Sequence, residues 1–132
     1  MSKTIVSHPV FAGNTSYFSE TNRKRLLSIL SETTVETGSF LYWEGDEADK
    51  LYYVIKGRIK ITKSSDEGRR FILYMFQDGD MFGQLDPFRR STHSFNAEAA
   101  ETSQIGIIEK SELTELLRQN GELAVEFMDW MG

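Results

Sequence analysis

The sequence predicts a mainly β domain with flanking helices, folded as an antiparallel β-roll or jelly roll. Glycines recur 7 to 12 residues apart through the middle of the chain, the rhythm of short strands joined by turns. Between residues 55 and 61, isoleucines alternate with basic residues, which is the period of a strand with one buried face. Apolar residues at helical spacing occur towards the two ends of the chain, which predicts helices on either side of the strands. The spaced glycines are Gly38, Gly45, Gly57, Gly68 and Gly79.

The composition is that of one soluble globular domain. The chain has 132 residues, of which 39% are hydrophobic and 27% charged. No apolar run is long enough to cross a membrane and the N-terminus has no signal-peptide core, so we expect a cytoplasmic protein without a membrane partner. The absence of cysteine excludes disulfides, thiolate zinc sites and Cys-ligated iron–sulfur clusters in this chain. The formal net charge of −5 argues against direct DNA binding by this chain.

The sequence does not predict an enzyme. A cupin-type oxygenase shares the β-roll but needs a cluster of metal ligands, and the two histidines, His8 and His93, are far apart. The spacing supports no Ser/His/Asp arrangement either. We therefore expect no catalytic residue, no metal site and no cofactor. One alternative stays open: a haem-based gas sensor in which His93 or His8 is an axial ligand.

The N-terminal part is expected to be an arm followed by a helix. Residues 1–18 carry Pro9, Gly13 and no periodic pattern, so we interpret them as the arm. Ser19 can cap a helix whose apolar face contains Leu26, Leu27 and Leu30. The β-roll with its flanking helices is expected to occupy residues 19–121.

Strands are predicted at residues 40–43, 51–55 and 58–61, then at 71–76, 97–100 and 105–108. The run at 71–76 is apolar on both faces. Such a strand lies against the core on one side and against something else on the other, which could be a helix, a ligand or a partner subunit.

Two helices are predicted after the last strand. Residues 111–119 carry a leucine stripe, and Asn120-Gly121 is typical of a helix end. From Glu122 a second helix places Leu123, Phe127 and Trp130 at positions i, i+4 and i+7. We expect residues 122–132 to begin a dimerisation helix, with Leu123, Phe127, Trp130 and Met131 at the interface.

The segment between the strands at residues 76 and 97 breaks the strand pattern. Gly79 and Gly83 bracket a tight turn, and Asp86-Pro87 predicts a helix of about one turn with Asp86 as its N-cap. The N-terminus of such a helix would offer backbone N–H groups to an anion. The alternative is an ordinary loop that closes the end of a sheet.

Motif residues follow one another in three segments, 40–60, 79–85 and 97–104, with Glu44-Gly45-Asp46 in the first and Gly79-Asp80 and Phe82-Gly83 in the second. In this order they resemble the effector domain of bacterial CRP/FNR regulators, which has the cyclic-nucleotide-binding β-roll. The resemblance covers nearly the whole chain. It implies the effector-sensing domain of a homodimeric bacterial transcription factor that responds to a small molecule. DNA and RNA polymerase would be partners only through the full-length protein, because no helix-turn-helix segment is present in these 132 residues. The segments carrying it are Phe40, Glu44, Gly45, Asp46, Ala48, Asp49, Leu51, Tyr52, Val54, Gly57, Ile59 and Lys60; Gly79, Asp80, Phe82, Gly83, Gln84 and Leu85; and residues 97–104.

The resemblance also implies an effector pocket and shows where this chain departs from the nucleotide binders. In those members a Glu after the Phe-Gly pair holds the ribose hydroxyl, and an Arg before a small residue pairs with the cyclic phosphate. Here Gln84 stands in the Glu position and His93, followed by Ser94, in the Arg position, while Arg89 and Arg90 could substitute or be exposed. We therefore expect that cyclic AMP is not the effector. The complete predicted pocket is Ile72, Tyr74, Gly83, Gln84, Leu85, Arg89, Arg90, His93 and Ser94.

A further alternative is a stand-alone regulatory module of the same fold, as in a kinase or channel. The segment at residues 97–104 favours the bacterial regulator over this alternative.

Overall fold

The computed structural model describes residues 11–131. Most of their strands follow one another between a helix near the N-terminal end and two helices at the C-terminal end, as the glycine spacing and the apolar helical patterns predict. In chain order the elements are β1 (Phe11–Asn14), a 3₁₀ turn (Thr15–Tyr17), α1 (Glu20–Ser28), β2 (Ser31–Val35), β3 (Phe40–Tyr42), β4 (Lys50–Lys56), β5 (Arg58–Ser64), β6 (Arg70–Gln77), β7 (Asp80–Gly83), β8 (Asn96–Ala99), β9 (Ser103–Glu109), α2 (Lys110–Gln119) and α3 (Gly121–Met131).

The strands form two antiparallel sheets. The five-stranded sheet has the order β1-β7-β4-β9-β2, and the four-stranded sheet has the order β3-β8-β5-β6. The first core lies between them, since its members come from the inward faces of both sheets. This arrangement confirms the predicted antiparallel β-roll with flanking helices. The buried residues of this roll core are Tyr42, Tyr52, Val54, Ile59, Ile61, Phe76, Phe82, Phe95, Ala97, Ala99 and Ile105.

A second core joins the helices to the five-stranded sheet. Leu51, Met81 and Ile108, from β4, β7 and β9, meet apolar residues of the three helices there. The five-stranded sheet is therefore covered on both faces. No helix within residues 11–131 combines the length and the apolar character that crossing a membrane requires. The buried helical members of this second core are Leu26, Leu113, Leu117, Leu123, Phe127 and Trp130.

The N-terminal arm is only partly described, because residues 1–10 lie outside the described range. Its later part is a strand: β1 pairs with β7 in antiparallel register, with Phe11 opposite Gly83. The helix predicted from Ser19 is present, and the Ser19 Oγ accepts a hydrogen bond from the Asn22 backbone N–H at 3.2 Å. The expected arm is thus tied to the roll before α1 begins.

The apolar stripe of α3 packs inside the chain. Leu123, Phe127 and Trp130 are fully buried, and Phe127 and Trp130 contact the ring of Phe18. Met131 packs against the same cluster. The prediction that this stripe faces a partner subunit is therefore corrected, because periodicity marks the buried side of a helix without saying what buries it.

The strand that the sequence predicts to be apolar on both faces is β6. Phe76 is buried in the roll core, but Ile72 is 60% exposed and its apolar neighbours are also accessible. Ile72 is thus exposed on β6, and its place in the effector pocket stays a prediction. β6 is the last strand of its sheet, so one backbone edge of it pairs with no other strand among residues 11–131.

Candidate functional site

The candidate site is the loop of residues 84–95, which connects β7 of one sheet to β8 of the other. Gly83 begins it with φ +140°, in the region that favours glycine. A Cβ atom at this position would lie 3.3 Å from the carbonyl oxygen of Lys50. Gly83 therefore permits the close approach to β4 from which the loop departs.

Gln84 holds the two ends of the loop together. Its side chain is almost fully buried, and its Nε2 donates to the Ser94 Oγ at 3.2 Å. Its Oε1 accepts a hydrogen bond from the Ser94 backbone N–H. Its backbone carbonyl accepts from the Ser91 Oγ at 2.8 Å. Both polar atoms of the side chain are thus occupied by the loop itself.

His93 is buried, with 3% of its surface exposed, and it stacks on Tyr42 with ring centroids 3.5 Å apart. Burial lowers its pKa to about 4, although Asp46 and Asp49 act in the opposite direction. The imidazole is therefore neutral near pH 7. Its backbone N–H donates to the Asp46 carbonyl at 2.9 Å, and its carbonyl accepts from the Gly45 N–H at 2.8 Å. These bonds fix the loop to the turn after β3.

Two buried polar atoms at this stack have no hydrogen-bond partner among residues 11–131. They are the Nδ1 of His93 and the Oη of Tyr42. Burial raises the pKa of Tyr42 well above its usual value, so its hydroxyl stays protonated. The sequence did not single out Tyr42, because nothing local indicates that its ring meets a histidine from the distant loop.

Arg89 and Arg90 do not supply the missing cation. Both side chains are more than four-fifths exposed; Arg89 pairs with Asp86 at 3.7 Å and Arg90 with Glu47 at 3.1 Å. They line an open cleft of about 670 Å³ on the outside of the loop, beside α2. Of the two possibilities left open for them, the structure has both side chains exposed, and their pocket roles stay a prediction.

The short helix predicted at Asp86-Pro87 is a turn instead. The Oδ1 of Asp86 accepts a hydrogen bond from the Phe88 N–H at 2.9 Å, which is an Asx turn. The carbonyls of Pro87 and Arg89 accept from the side chains of Thr114 and Lys110 on α2, at 2.8 and 2.6 Å. Distant donors thus satisfy carbonyls that a helix would have used, and the expected anion site at a helix N-terminus is not formed.

Aromatic rings fill the interior of the roll beside the loop. The Tyr42 ring lies 5.5 Å from that of Tyr52, and Phe82 stacks on Phe76 at 4.8 Å. Tyr74 contacts Phe76 at 4.6 Å, so this predicted pocket residue packs on the aromatic cluster. Leu85 is buried on the other side, in the core under the helices, and its predicted place in the pocket is corrected.

Lys63 of β5 is a cation of the site that sequence reasoning missed. Its Nζ donates to the Ser94 carbonyl at 3.0 Å and to the Glu44 carboxylate at 2.8 Å. Its charge is balanced by Glu44, and it stabilises the closed loop from outside.

The structure therefore brings Gln84, His93 and Ser94 together and separates them from the predicted arginines. At neutral pH the imidazole of this site is uncharged, and its one ammonium group named above, that of Lys63, is paired with Glu44. No group of three or more His, Asp or Glu side chains within the described range could hold a metal ion. The haem alternative stays a prediction for His93, and His8 lies outside the described residues.

Comparisons with known proteins agree with this architecture. Residues 32–120 match the family described as "Cyclic nucleotide-binding domain". The chain is 34% identical over 107 residues to the "Anaerobic regulatory protein" of Bacillus subtilis, a match that covers 80% of this chain and 45% of that protein. It is 33% identical over 86 residues to the "cAMP-activated global transcriptional regulator CRP" of Haemophilus influenzae, covering 64% of this chain and 38% of that protein.

A solved structure shows the same fold. The N-terminal domain of a transcriptional regulator from Streptomyces coelicolor A3(2) superimposes with a TM-score of 0.75 at 23% identity, covering 87% of this chain and 80% of that domain. The chain spans less than half the length of the two curated regulators. The family match extends over well more than half of the chain. This chain therefore belongs to the cyclic nucleotide-binding domain family and is of the CRP/FNR transcription-regulator type.

Proposed function

We propose that this chain is the effector-sensing domain of a CRP/FNR-type transcription regulator whose effector is not a cyclic nucleotide. The family is regulatory and not an enzyme family, which supports a sensory role without catalysis. The observation that carries the proposal is the pair of hydrogen bonds between Gln84 and Ser94, beside the buried and neutral imidazole of His93.

The first argument concerns charge. A cyclic phosphate needs a cation with directed donors. The imidazole of His93 is neutral, and the guanidiniums of Arg89 and Arg90 are exposed. The Lys63 ammonium is already paired with Glu44. Gln84 replaces a carboxylate by a neutral amide. Hydrogen bonds to charged groups contribute about 1.5–3 kcal/mol each, so the loss of two corresponds to roughly 10²–10⁴ in affinity.

The second argument concerns space. The ring of His93 stacks on Tyr42, and Tyr42 in turn contacts Tyr52 within the roll core. A nucleotide in this region would have to displace the stack and break both Gln84–Ser94 hydrogen bonds. A small, uncharged effector that offers hydrogen bonds to Tyr42 Oη and His93 Nδ1 fits the environment better, because both atoms are buried without a described partner.

Hydrogen bonds connect the loop to α2, so a conformational change of the loop could be transmitted to the helices. Thr114 and Lys110 of α2 donate to loop carbonyls, and α2 shares a core with α3. A change at Gln84 or Ser94 would therefore alter contacts that position α2. We propose that α2 and α3 carry the signal to a helix-turn-helix domain elsewhere in the full-length protein, through which DNA and RNA polymerase would be bound.

Self-association through α3 is part of the same proposal. Because Leu123, Phe127 and Trp130 are buried within the chain, the interface would use the opposite side of the helix, where Val125 is 71% exposed. Met128 lies three residues further on the same side and is also exposed. A homodimer is in keeping with a regulator of this type.

Thermal unfolding with and without nucleotide tests the proposal. A ligand that binds the folded state at 100 times its Kd stabilises it by about 2.7 kcal/mol, so real binding raises Tm. We expect millimolar cyclic AMP or cyclic GMP to leave the Tm of this chain unchanged, while cyclic AMP raises that of the H. influenzae regulator. A comparable rise for this chain would contradict the proposal.

The double variant Gln84→Glu with His93→Arg separates the two arguments. It restores the charges of the nucleotide binders but leaves the aromatic rings in place. If cyclic AMP raises the Tm of this variant, charge is the main obstacle to binding in the original chain. If the variant is folded and its Tm does not change with cyclic AMP, the lack of space between the aromatic rings is the main obstacle.

A further inference from the structure

The proposed function makes no use of the open cleft on the outside of the loop. Its volume of about 670 Å³ is within the range of natural ligand clefts. One wall is the turn at residues 87–90, and the other is the part of α2 from Ser111 to Arg118. An open cleft between two elements gives a ligand access to both of them at once.

The helical wall carries a stripe of three polar side chains. Lys110, Thr114 and Arg118 stand four residues apart, so they lie on one face of α2. The first two donate to the carbonyls of Arg89 and Pro87, at 2.6 and 2.8 Å. Arg118 is exposed, and its guanidinium has no hydrogen-bond or ion-pair partner among residues 11–131. The stripe thus ends in a group of donors that the loop does not use.

The loop wall combines an exposed ring with two guanidiniums. Phe88 is 56% exposed. Beside it, Arg89 pairs with Asp86 at 3.7 Å and Arg90 with Glu47 at 3.1 Å. Ion pairs between such exposed groups contribute little to stability, so a carboxylate from outside can replace either one. Aromatic and arginine side chains together are typical of the residues that dominate binding at protein interfaces.

The cleft has more basic than acidic groups in its lining. The four cations named above face three carboxylates, and two of these have partners of their own. Asp49 pairs with Lys50 at 3.3 Å, and Glu115 accepts from Gln119 at 2.8 Å. The positive surplus is local, because the whole chain carries a formal net charge of −5. An acidic ligand is therefore attracted to this surface and repelled by much of the rest.

From this charge complementarity we propose that the cleft binds an acidic peptide segment of another protein. An apolar side chain of the segment packs on Phe88, while its carboxylates pair with Arg118 on one wall and with Arg89 or Arg90 on the other. Each guanidinium can hold a carboxylate by two parallel hydrogen bonds. Carboxylates spaced along a peptide reach both walls and avoid the acidic groups of the cleft, whereas a compact polyanion would meet them.

The bound segment holds the loop turn against α2. Its contacts extend from residues 88–90 to Arg118, across the two hydrogen bonds that Lys110 and Thr114 make with the turn. Binding therefore stabilises the present position of the loop. This surface goes beyond the proposed function, which concerns the inner side of the loop, and it stands even if the effector proves to be a nucleotide.

Selection from a random peptide library tests the proposal, with the folded 132-residue chain as the immobilised protein. The most enriched peptide is synthesised, and its Kd is measured by fluorescence anisotropy. We expect the enriched sequences to combine two or more Asp or Glu residues with an aromatic or aliphatic one. Enrichment of basic or uncharged sequences, or the absence of any enrichment, would overturn the proposal.

Three exposed substitutions then locate the bound peptide. Arg118→Glu changes the helical wall and Phe88→Ala the loop wall. Arg69→Glu is the control, because it makes the same change of charge on the turn between β5 and β6, outside the cleft. Circular dichroism checks that each variant is folded. We expect the first two to weaken the Kd by about 10-fold or more and the control to leave it unchanged.

Two results of this series contradict the proposal. If neither Arg118→Glu nor Phe88→Ala weakens binding, the peptide lies elsewhere on the chain. If Arg69→Glu weakens it as much as Arg118→Glu does, the peptide responds to net charge and not to the cleft.

Competition with citrate distinguishes a peptide site from a site for a small anion. Citrate has several carboxylates but no apolar side chain to pack on Phe88. At constant ionic strength, we expect millimolar citrate to leave most of the peptide bound. Complete displacement would mean that the cleft takes a small anion, and the peptide proposal would be wrong.

Discussion

The side chain of Gln84 holds Ser94 by two hydrogen bonds, with Oε1 accepting from the backbone N–H and Nε2 donating to the Oγ. The two residues stand at opposite ends of the loop that closes the roll. In a nucleotide-binding relative a carboxylate at the Gln84 position is implied to hold the ligand. Here the equivalent side chain holds the loop.

Gln84→Ala should therefore destabilise the fold. The substitution leaves the partly buried Ser94 N–H without its acceptor, which costs up to about 1–3 kcal/mol. Urea unfolding measures the free energy of unfolding. Ser94→Ala is the matched control, because it removes the Oγ but keeps the backbone N–H bonded to Gln84, so its cost should be smaller. Equal costs for the two variants would contradict this assignment.

Tyr42→Phe should stabilise the protein or leave its stability unchanged. The substitution removes a buried hydroxyl with no hydrogen-bond partner among residues 11–131 and keeps the ring on His93. Relief of an unsatisfied polar group contributes up to about 1–3 kcal/mol. Chemical denaturation of both proteins is the check. A loss above about 1 kcal/mol would mean that the hydroxyl has a partner in solution.

Acid should weaken the fold through His93. Its folded pKa of about 4 is below the value of 6.5 expected when unfolded, so the unfolded state binds the proton first. The stabilising contribution is complete above pH 6.5 and is lost as the pH falls towards 4. The pKa difference corresponds to about 3 kcal/mol in total. As the pH falls over this range, we expect the free energy of unfolding of the protein to decrease relative to that of His93→Phe. A constant difference between the two would show that His93 titrates normally.

Phe127→Ala should behave as a core substitution. The ring is fully buried against Phe18 and Trp130, and truncating such a residue costs about 3–5 kcal/mol of unfolding free energy. Val125→Ala, on the exposed side of the same helix, should change the monomer stability by no more than about 0.5 kcal/mol. If Phe127→Ala changes the unfolding free energy of the monomer only slightly, Phe127 does not belong to the monomer core, and the original prediction that it lies at the subunit interface would be favoured.

Local sequence patterns predict the helices, strands and turns of this chain better than they predict the tertiary contacts that these elements make. The Ser19 cap, the glycine turns and the α3 stripe are all encoded within a few residues of sequence, and the structure contains them. Asp86-Pro87 predicts a helix, but the structure has a turn there, because Thr114 and Lys110 on α2 donate hydrogen bonds to its carbonyls. The neutral state of His93 likewise depends on its burial in the folded chain, which sequence around position 93 does not show.

The most direct test of the central claim is a calorimetric titration of the folded chain with cyclic AMP at neutral pH. With Gln84 bonded to Ser94 and His93 uncharged, we predict no saturable heat up to millimolar nucleotide. The H. influenzae regulator, titrated in parallel, shows that the nucleotide is active. A saturable isotherm with micromolar Kd for this chain would contradict the account, because it would require the loop to open and a cation to enter the site.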